Sequence, residues 1–243
     1  MKKIIIALFI LIPTLISAQN IKYYNVADFE VDKENAEFYK EFFTDETKDS
    51  TVLVKKFKIS GKLVETGYYN KNNLNIKNGL LMQYGENGNV NYIKHYKNNK
   101  LDGKLIGYYE SGQIRRTEIY NSDSLVEGKC FTKTGTDTTY YESMILPTFK
   151  GRHFSKIRDF IAVNLRYPGK ARKRGIKGDV YVYFEIDKNG ILCDPKIVYS
   201  DNELLNSESL RIIKKSSKYW KAGYCEGELA NIHFTIPFKY RMK

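Results

Sequence analysis

The sequence is poor in the residues that most often build catalytic and metal sites. It contains three histidines, three cysteines and one tryptophan among its 243 residues. Cys130, Cys193 and Cys225 form no CxxC pair, and the histidines are too few and too far apart for a zinc site. Nucleophile-elbow and phosphate-loop motifs are missing as well. The sequence therefore predicts neither an enzyme nor a metal or other cofactor.

Long apolar runs are also scarce, and only one segment is hydrophobic enough to address a membrane. Residues 4–16 are predominantly apolar, follow Lys2 and Lys3, and lead to small residues that end at Ala18. A membrane-spanning helix needs about 20 apolar residues, which is more than this run supplies. We therefore predict a signal peptide, residues 1–18, that is cleaved after Ala18 to release a periplasmic protein. The alternative is an uncleaved inner-membrane anchor, and membrane contact is expected only in that case.

Acidic residues are few relative to basic ones, and the formal net charge is +12. A basic surface favours acidic partners, such as anionic lipid headgroups or cell-wall polymers. Nucleic acid is not an expected partner, because the chain has the features of an exported protein and carries no recognition motif. The basic residues are scattered along the chain, so an ordinary solvated surface is the alternative.

Residues 51–143 contain an internal repeat. One series of glycines opens short runs at intervals of 24 and 25 residues, and a second series lies in polar turns. Between the glycines, alternating strands lead into a turn and return, so each unit is predicted to be a β-hairpin. A fixed period of this kind indicates stacked hairpins rather than a closed globule. The two series are Gly79, Gly103 and Gly128, and Gly61, Gly88, Gly112 and Gly135.

The segments GKLIGYYESGQI and GLLMQYGENGNV resemble MORN-like repeats, which are hairpins built on a short glycine and tyrosine pattern. The second segment departs from the pattern because Gly85 replaces the second aromatic residue. The resemblance implies a spacer, a scaffold or a binding surface. Upstream, residues 19–50 form a lead-in segment whose pattern fits either a short helix or an edge strand. No function is assigned to this segment.

A helical pattern begins after residues 144–151. Apolar residues recur there at the spacing of an amphipathic helix: Phe154, Ile157, Phe160, Ile161 and Leu165. Pro168 then starts a second, short helix, which Gly175 closes. The region that follows is expected to contain strands.

Residues 180–186 and 232–238 place apolar side chains at every second position, the pattern of a strand with one buried face. The turn DKNG makes a second strand return antiparallel to the first. A helix over residues 203–217 then crosses back, so the third strand lies beside the first and the expected sheet order is second, first, third. Pro237 cannot donate to a ladder, which agrees with an edge position for the third strand.

The C-terminal region resembles the C-terminal domain of TonB proteins. The resemblance is carried by PTFKG, YPGKARKRGIKGDVYVYFEIDKNG, LLNSESLRIIKK, YWKAG and FTIPFKY, which occur in this order across residues 147–240. The predicted fold class is therefore α+β: stacked β-hairpin (MORN-like) repeats, then a TonB-like domain in residues 147–243 with a three-stranded antiparallel sheet packed by helices. Three positions depart from the family pattern with little expected effect on the fold: Arg152, Asn206 and Ala222.

The resemblance also implies a binding site. In that family the last strand accepts an extended peptide, the TonB box of an outer-membrane receptor, by strand addition. The matching residues here are Asn231, Ile232, His233, Phe234, Thr235 and Ile236. A basic short helix is expected to meet acidic residues of the partner, through Lys170, Arg172, Lys173 and Arg174. The alternatives are an edge that pairs with a second copy of the chain and a basic helix that is simply solvated.

The predicted function is a non-catalytic periplasmic protein-interaction module that binds an extended peptide or a partner protein. Its sharper form is a part in TonB-dependent transport. The alternative is a structural or envelope-binding scaffold whose C-terminal domain forms a homodimer. An energy transducer would also need an inner-membrane helix and a long, often proline-rich spacer, and this chain has five prolines. A disulfide between Cys193 and Cys225 would require the Cys225 loop to fold over the first strand.

Overall fold

The computed structural model describes residues 20–44 and 50–242, and the predicted signal peptide lies outside them. The chain divides into two compact units, and the division does not follow the order of the sequence. The first unit holds Phe38–Asp137 together with residues 20–23. The second holds Tyr24–Glu37 and Thr138–Lys243.

The first unit is built on a sheet of ten strands that neighbour one another in chain order. The pairs from the second strand to the ninth are antiparallel. The succession of hairpins predicted from the glycine spacing is therefore observed, whereas the MORN-like assignment stays a prediction. The strands are β1 (Asn20–Tyr24), β2 (Phe38–Thr44), β3 (Thr51–Lys58), β4 (Leu63–Asn70), β5 (Asn73–Tyr84), β6 (Val90–Lys97), β7 (Lys100–Tyr108), β8 (Ile114–Asn121), β9 (Ser124–Phe131) and β10 (Asp137–Thr138).

Two kinds of turn alternate along this sheet, and both are local consequences of the sequence. The turns after β5 and β7 contain Gly88 and Gly112 at φ +81° and +85°, a conformation that favours glycine. The tight turn after β6 instead uses Asn98 and Asn99, both at positive φ, as in a type I′ hairpin. The N–H of Asn99 also donates to the carbonyl of Lys77 at 2.9 Å, so this turn is tied to the preceding hairpin.

The buried face of the ten-stranded sheet is partly polar. An apolar cluster is formed by Phe42, Val52, Val54, Tyr69 and Leu81. Arg116 and Glu118, two positions apart on β8, are both buried, and Arg116 Nη1 lies 2.7 Å from Glu118 Oε1. Removing one partner of such a pair would leave a buried charge, which is more costly than the pair is stabilising.

The second unit contains the predicted three-stranded antiparallel sheet. Its strand order is Leu192–Ser200, Gly178–Ile186, Ile232–Tyr240, which is the order expected from the sequence, and the last of these strands lies on an edge beside Gly178–Ile186. Helices pack on its apolar face, so the predicted α+β arrangement of this region is confirmed. The elements are β11 (Met144–Ile145), β12 (Thr148–Phe149), α1 (Ile157–Asn164), α2 (Gly169–Lys173), β13 (Gly178–Ile186), β14 (Leu192–Ser200), α3 (Asn206–Ser216), β15 (Trp220–Lys221), β16 (Gly223–Cys225), β17 (Glu228–Ala230) and β18 (Ile232–Tyr240).

Short pairings that the sequence analysis did not anticipate complete this unit. β12 pairs with β15 through Thr148↔Lys221 and Phe149↔Trp220. β16 pairs with both β11 and β17. Strands of two or three residues are too short to show a periodicity, which is why the alternation rule missed them. The first predicted helix also opens with a 3-10 turn, Phe154–Lys156, before α1 begins.

The core of the second unit follows from the alternation in β13 and β18. Every second residue of β13 is fully buried, namely Val180, Val182, Phe184 and Ile186. Trp220 is buried as well, and its ring centroid lies 5.7 Å from that of Phe184 and 5.4 Å from that of Phe234. The single tryptophan is therefore a core residue, and it reports on this unit alone.

Residues 24–37, which we call the strap, pack on the polar face of the same sheet. The ring of Phe29 stacks on Tyr199 at 5.2 Å between centroids and meets Tyr181 edge-on at 4.9 Å. Glu37 pairs with Lys196 at 2.9 Å. Part of the lead-in segment, to which the sequence suggested no role, thus covers β13 and β14.

Asn25 organises the strap from a nearly buried position. Its Oδ1 accepts hydrogen bonds from the N–H groups of Ala27 and Phe29, and its Nδ2 donates to the carbonyl of Val198 at 2.8 Å. Val198 falls where the register between β13 and β14 shifts, so it has no partner residue on β13. The side chain of Asn25 thus satisfies a carbonyl that the bulge leaves outside the ladder.

We expect Asn25→Ala to lower the free energy of unfolding of the second unit by about 1–3 kcal/mol, because it leaves the partly buried Val198 carbonyl and two strap N–H groups without this partner. Urea unfolding followed by Trp220 fluorescence measures the change. The matched control is Asn35→Ala in the exposed 3-10 turn Lys33–Asn35. Equal stability of the two variants would show that the strap adds nothing to this unit.

In residues 20–44 and 50–242, which are the described parts of the chain, no helix is long and apolar enough to cross a membrane. The three cysteines all fall within those parts, and no disulfide joins any two of them.

Candidate functional site

The candidate site is the outer edge of β18. This strand pairs with β13 without interruption from Gly178↔Tyr240 to Ile186↔Ile232. Within residues 20–44 and 50–242, no other strand pairs with its opposite edge. An exposed strand edge presents backbone donors and acceptors that can receive another strand.

The six predicted strand residues do not all face a partner. Ile232, Phe234 and Ile236 point into the core and are buried. His233 and Thr235 are exposed on the opposite face, and Asn231 lies just before the strand begins. Side-chain selectivity on this surface therefore depends on the odd-numbered residues, whereas the even-numbered ones hold the strand in place.

Pro237 shows which backbone groups face outward. Proline has no N–H, yet the pairing continues through Tyr181↔Pro237 without a shift, so Pro237 occupies a position whose backbone points away from β13. The same alternation directs the backbone N–H groups of His233 and Thr235 to the outer edge. Beyond Thr235 the next outward position offers only a carbonyl. An added strand would thus find donors at His233 and Thr235, none at Pro237, and one more at Lys239.

A hydrogen-bonded group of side chains lies beside this part of the edge. Tyr183 Oη is 2.7 Å from His233 Nδ1, and Glu185 Oε2 is 3.3 Å from the same nitrogen. Asn231 Nδ2 donates to Glu185 Oε1 at 2.8 Å, while Asn231 Oδ1 accepts from the N–H of Lys188 at 3.1 Å. Asn231 therefore fixes the hairpin turn to the start of β18, so it positions the site.

The negative charge of Glu185 also acts on the phenol of Tyr183. The pKa of Tyr183 is raised above its usual value, first by partial burial and then by the negative charge of Glu185. The phenol therefore stays protonated at neutral pH and can donate a hydrogen bond. Tyr183 and Glu185 were not among the predicted site residues; their place in the alternation of β13, opposite Thr235 and His233, is the signal that could have found them.

The basic helix lies toward the other end of β18. All four of its predicted residues are exposed: Lys170, Arg172, Lys173 and Arg174. Ala171 is the buried residue of α2, and the ring of Tyr167, just before the helix, lies 5.6 Å from that of Tyr240. The structure thus places the basic helix near Tyr240, and the outward-facing N–H groups of His233 and Thr235 toward Ile232. Only an extended ligand that follows β18 could meet both.

These features define a class: a small α+β protein-interaction domain with an accessible sheet edge. A family model described as Gram-negative bacterial TonB protein C-terminal matches residues 163–242. Residues 163–242 belong to the TonB C-terminal domain family.

Two curated relatives and two solved structures are similar to the same region. Protein TonB of Helicobacter pylori strain 26695 and that of strain J99 are each 30% identical to this chain over 112 residues, which is 46% of this chain and 38% of the relative. The NMR solution structure of Helicobacter pylori TonB-CTD, residues 179–285, is 35% identical, covers 37% of this chain and 79% of that chain, and has a TM-score of 0.32. A second, of residues 194–285, is 32% identical, covers 36% and 90%, and has a TM-score of 0.28.

The match is partial in both directions. This chain spans well under half the length of the curated relatives, and the matched region leaves the ten-stranded sheet outside it. The family membership therefore applies to the C-terminal region, and supports a protein-interaction role for it.

Proposed function

We propose that this chain is a non-catalytic periplasmic protein that binds an extended peptide by adding it as a fourth strand to the edge of β18. The observation that carries the proposal is that edge, which pairs with no other strand in residues 20–44 and 50–242 and has the N–H groups of His233 and Thr235 directed outward. In strand addition the main-chain hydrogen bonds supply affinity, and alternate side chains supply selectivity. Tyr183, Glu185, His233 and Thr235 would line one side of the bound peptide.

The family membership suggests the kind of ligand. The partner would be an outer-membrane receptor or another envelope protein that offers an extended segment, such as a TonB box, and the binding would support TonB-dependent transport. Residues 51–143 would act as a spacer that holds the domain of residues 147–243 at a distance. No cofactor and no nucleic acid take part in this proposal.

The place of the protein in the cell depends on its N-terminal segment. Cleavage after Ala18 would give a soluble periplasmic protein, and retention of residues 1–18 would give an inner-membrane anchor. The intact mass of the exported protein separates the two. Only an anchored form could transmit force from the inner membrane on its own.

A second function is favoured by the same observation. An exposed edge can pair with the edge of a second copy, so β18 could build a homodimer. The protein would then be a structural or envelope-binding scaffold whose basic surface makes the external contacts.

The test is a titration of N-terminal receptor peptides into the isotopically labelled chain. We expect the amide resonances of residues 231–236 to shift, with the largest changes at His233 and Thr235, because their N–H groups would gain hydrogen bonds. Unchanged resonances at these residues would contradict peptide binding. Shifts that depend on protein concentration without peptide, together with a doubled mass in sedimentation, would support the homodimer instead.

A further inference from the structure

The second unit contains a groove that the β18 site does not use. It has a volume of about 400 Å³ and lies between α1 and the turn that joins β12 to it. It is lined by residues such as Phe149, Arg152 and Lys156, which belong neither to β18 nor to α2. The volume falls in the range of pockets that hold small ligands or a few side chains.

The floor of the groove is aromatic. Phe149 and Phe160 line it, and Tyr219 packs against both rings. The three rings contact one another edge-on, with centroids 5.5 to 5.7 Å apart. Val163 extends this apolar surface at the rim, where its side chain is 85% exposed. Phe149 is fully buried and Phe160 nearly so, so Val163 is the apolar surface that a ligand could cover.

The rim of the groove is cationic. Lys150, Arg152 and Lys156 line it together with one acid, Asp159. Lys156 Nζ is already paired with Asp159 Oδ2 at 2.8 Å, so the charge in excess resides on Lys150 and Arg152. The Lys150 ammonium lies 4.6 Å from the Tyr219 ring centroid and 5.2 Å from that of Phe160, which holds it above the floor.

The backbone presents these cations in a fixed way. Phe149 and Arg152 exchange two hydrogen bonds, 2.8 and 3.0 Å long, across a two-residue turn formed by Lys150 and Gly151. Both turn residues have positive φ, +52° for Lys150 and +68° for Gly151. Lysine in this conformation is uncommon, and the N–H of Lys150 is secured by the carbonyl of Tyr219 at 2.8 Å. The turn thus holds Lys150 and Arg152 at the mouth of the groove.

We propose that this groove binds an acidic peptide segment of a partner protein, in which an aromatic or aliphatic side chain lies next to carboxylates. The carboxylates would pair with Arg152 and Lys150, since a guanidinium can hold a carboxylate through two parallel hydrogen bonds. The apolar side chain would rest on the exposed Val163, beside the edge of Phe160. A peptide can enter this concave groove, whereas a flat layer of lipid headgroups would reach only its rim. The site is independent of strand addition at β18.

The test uses the full chain and three short blocked peptides, acetyl-DEFDE-amide, acetyl-NQFNQ-amide and acetyl-DEGDE-amide. We expect the first to shift the amide resonances of Gly151 and Val163, and the neutral and glycine peptides to bind at least about tenfold more weakly, since each lacks one of the two contacts. Arg152→Gln should weaken binding of the first peptide about tenfold. Lys150→Gln, which removes the other cation of the proposed contact, is the second variant if the first does not fold.

The control variant is Lys177→Gln, which removes an exposed cation elsewhere in the same unit. Its affinity for acetyl-DEFDE-amide should match that of the unaltered chain. The proposal is overturned if Lys177→Gln and Arg152→Gln weaken binding equally, because net charge would then explain it. It is also overturned if the neutral peptide binds as well as the acidic one. Binding to phosphatidylglycerol vesicles that depends on Arg152, without peptide binding, would assign the groove to a membrane and overturn the peptide assignment.

Discussion

Thr235→Pro is expected to weaken binding of an extended peptide at β18 by about tenfold or more while leaving the domain folded. The substitution removes an N–H that points to the outer edge, and the proline ring projects toward the incoming strand. The lost hydrogen bond contributes about 0.5–1.5 kcal/mol, and the steric conflict adds to it. Because Thr235 sits at an outward position of the ladder, the hydrogen bonds to β13 stay intact. Peptide titration by calorimetry or amide shifts measures the effect.

Two matched variants show whether the backbone carries this effect. Thr235→Ala keeps the N–H and should bind within about twofold of the unaltered chain, because only a rim contact is lost. Pro237→Thr adds an outward donor one step further along β18, so a peptide long enough to reach it should bind more tightly. If Thr235→Pro binds as well as Thr235→Ala, strand addition at this edge is wrong.

Phe184→Ala is expected to lower the free energy of unfolding of the second unit by about 3–5 kcal/mol. Phe184 is fully buried, and its ring contacts both Trp220 and Phe234, so its removal opens a cavity in the core. Urea unfolding is followed by Trp220 fluorescence, because Trp220 is the one tryptophan of the chain. A shift in the midpoint at constant slope would identify a loss of stability alone.

The control for this variant is Ser207→Ala, at an exposed position of α3. A surface change of this kind should stay within about 0.5 kcal/mol. A small effect of Phe184→Ala would mean that the core collapses around the missing ring. The assignment of β13 as the central strand would then lose its main energetic support.

The sheet of the second unit could be predicted because its strands are long and their environment is simple. β13 and β18 each alternate over nine residues between a buried, helix-covered face and a less buried, more polar face, so the period-2 pattern is complete. A single turn, DKNG, then fixed one pairing, and the helix α3 fixed the other. These local signals were enough to order three strands and to place Pro237 on an edge.

The parts that escaped prediction depend on contacts between distant positions. The strap is held by an amide from Asn25 to the carbonyl of Val198 and by Phe29 against two tyrosines, and neither contact leaves a periodic pattern. The groove at Arg152 likewise joins a two-residue turn to one side of α1. At the edge of β18, the sequence suggested six binding residues without distinguishing among them. The burial of Ile232, Phe234 and Ile236 shows that these three hold the strand in the core.

The strap also bears on how the chain is made. Asn25 emerges from synthesis long before Val198, its partner 173 positions further along, so the C-terminal unit cannot be finished until nearly the whole polypeptide has been released. Until then, the strap has no completed sheet of β13 and β14 to pack against. A fragment trimmed to residues 147–243 would lack this piece and would leave Tyr181 and Tyr199 without the ring of Phe29. Self-association seen with such a fragment would then reflect the missing cover rather than a property of the intact protein.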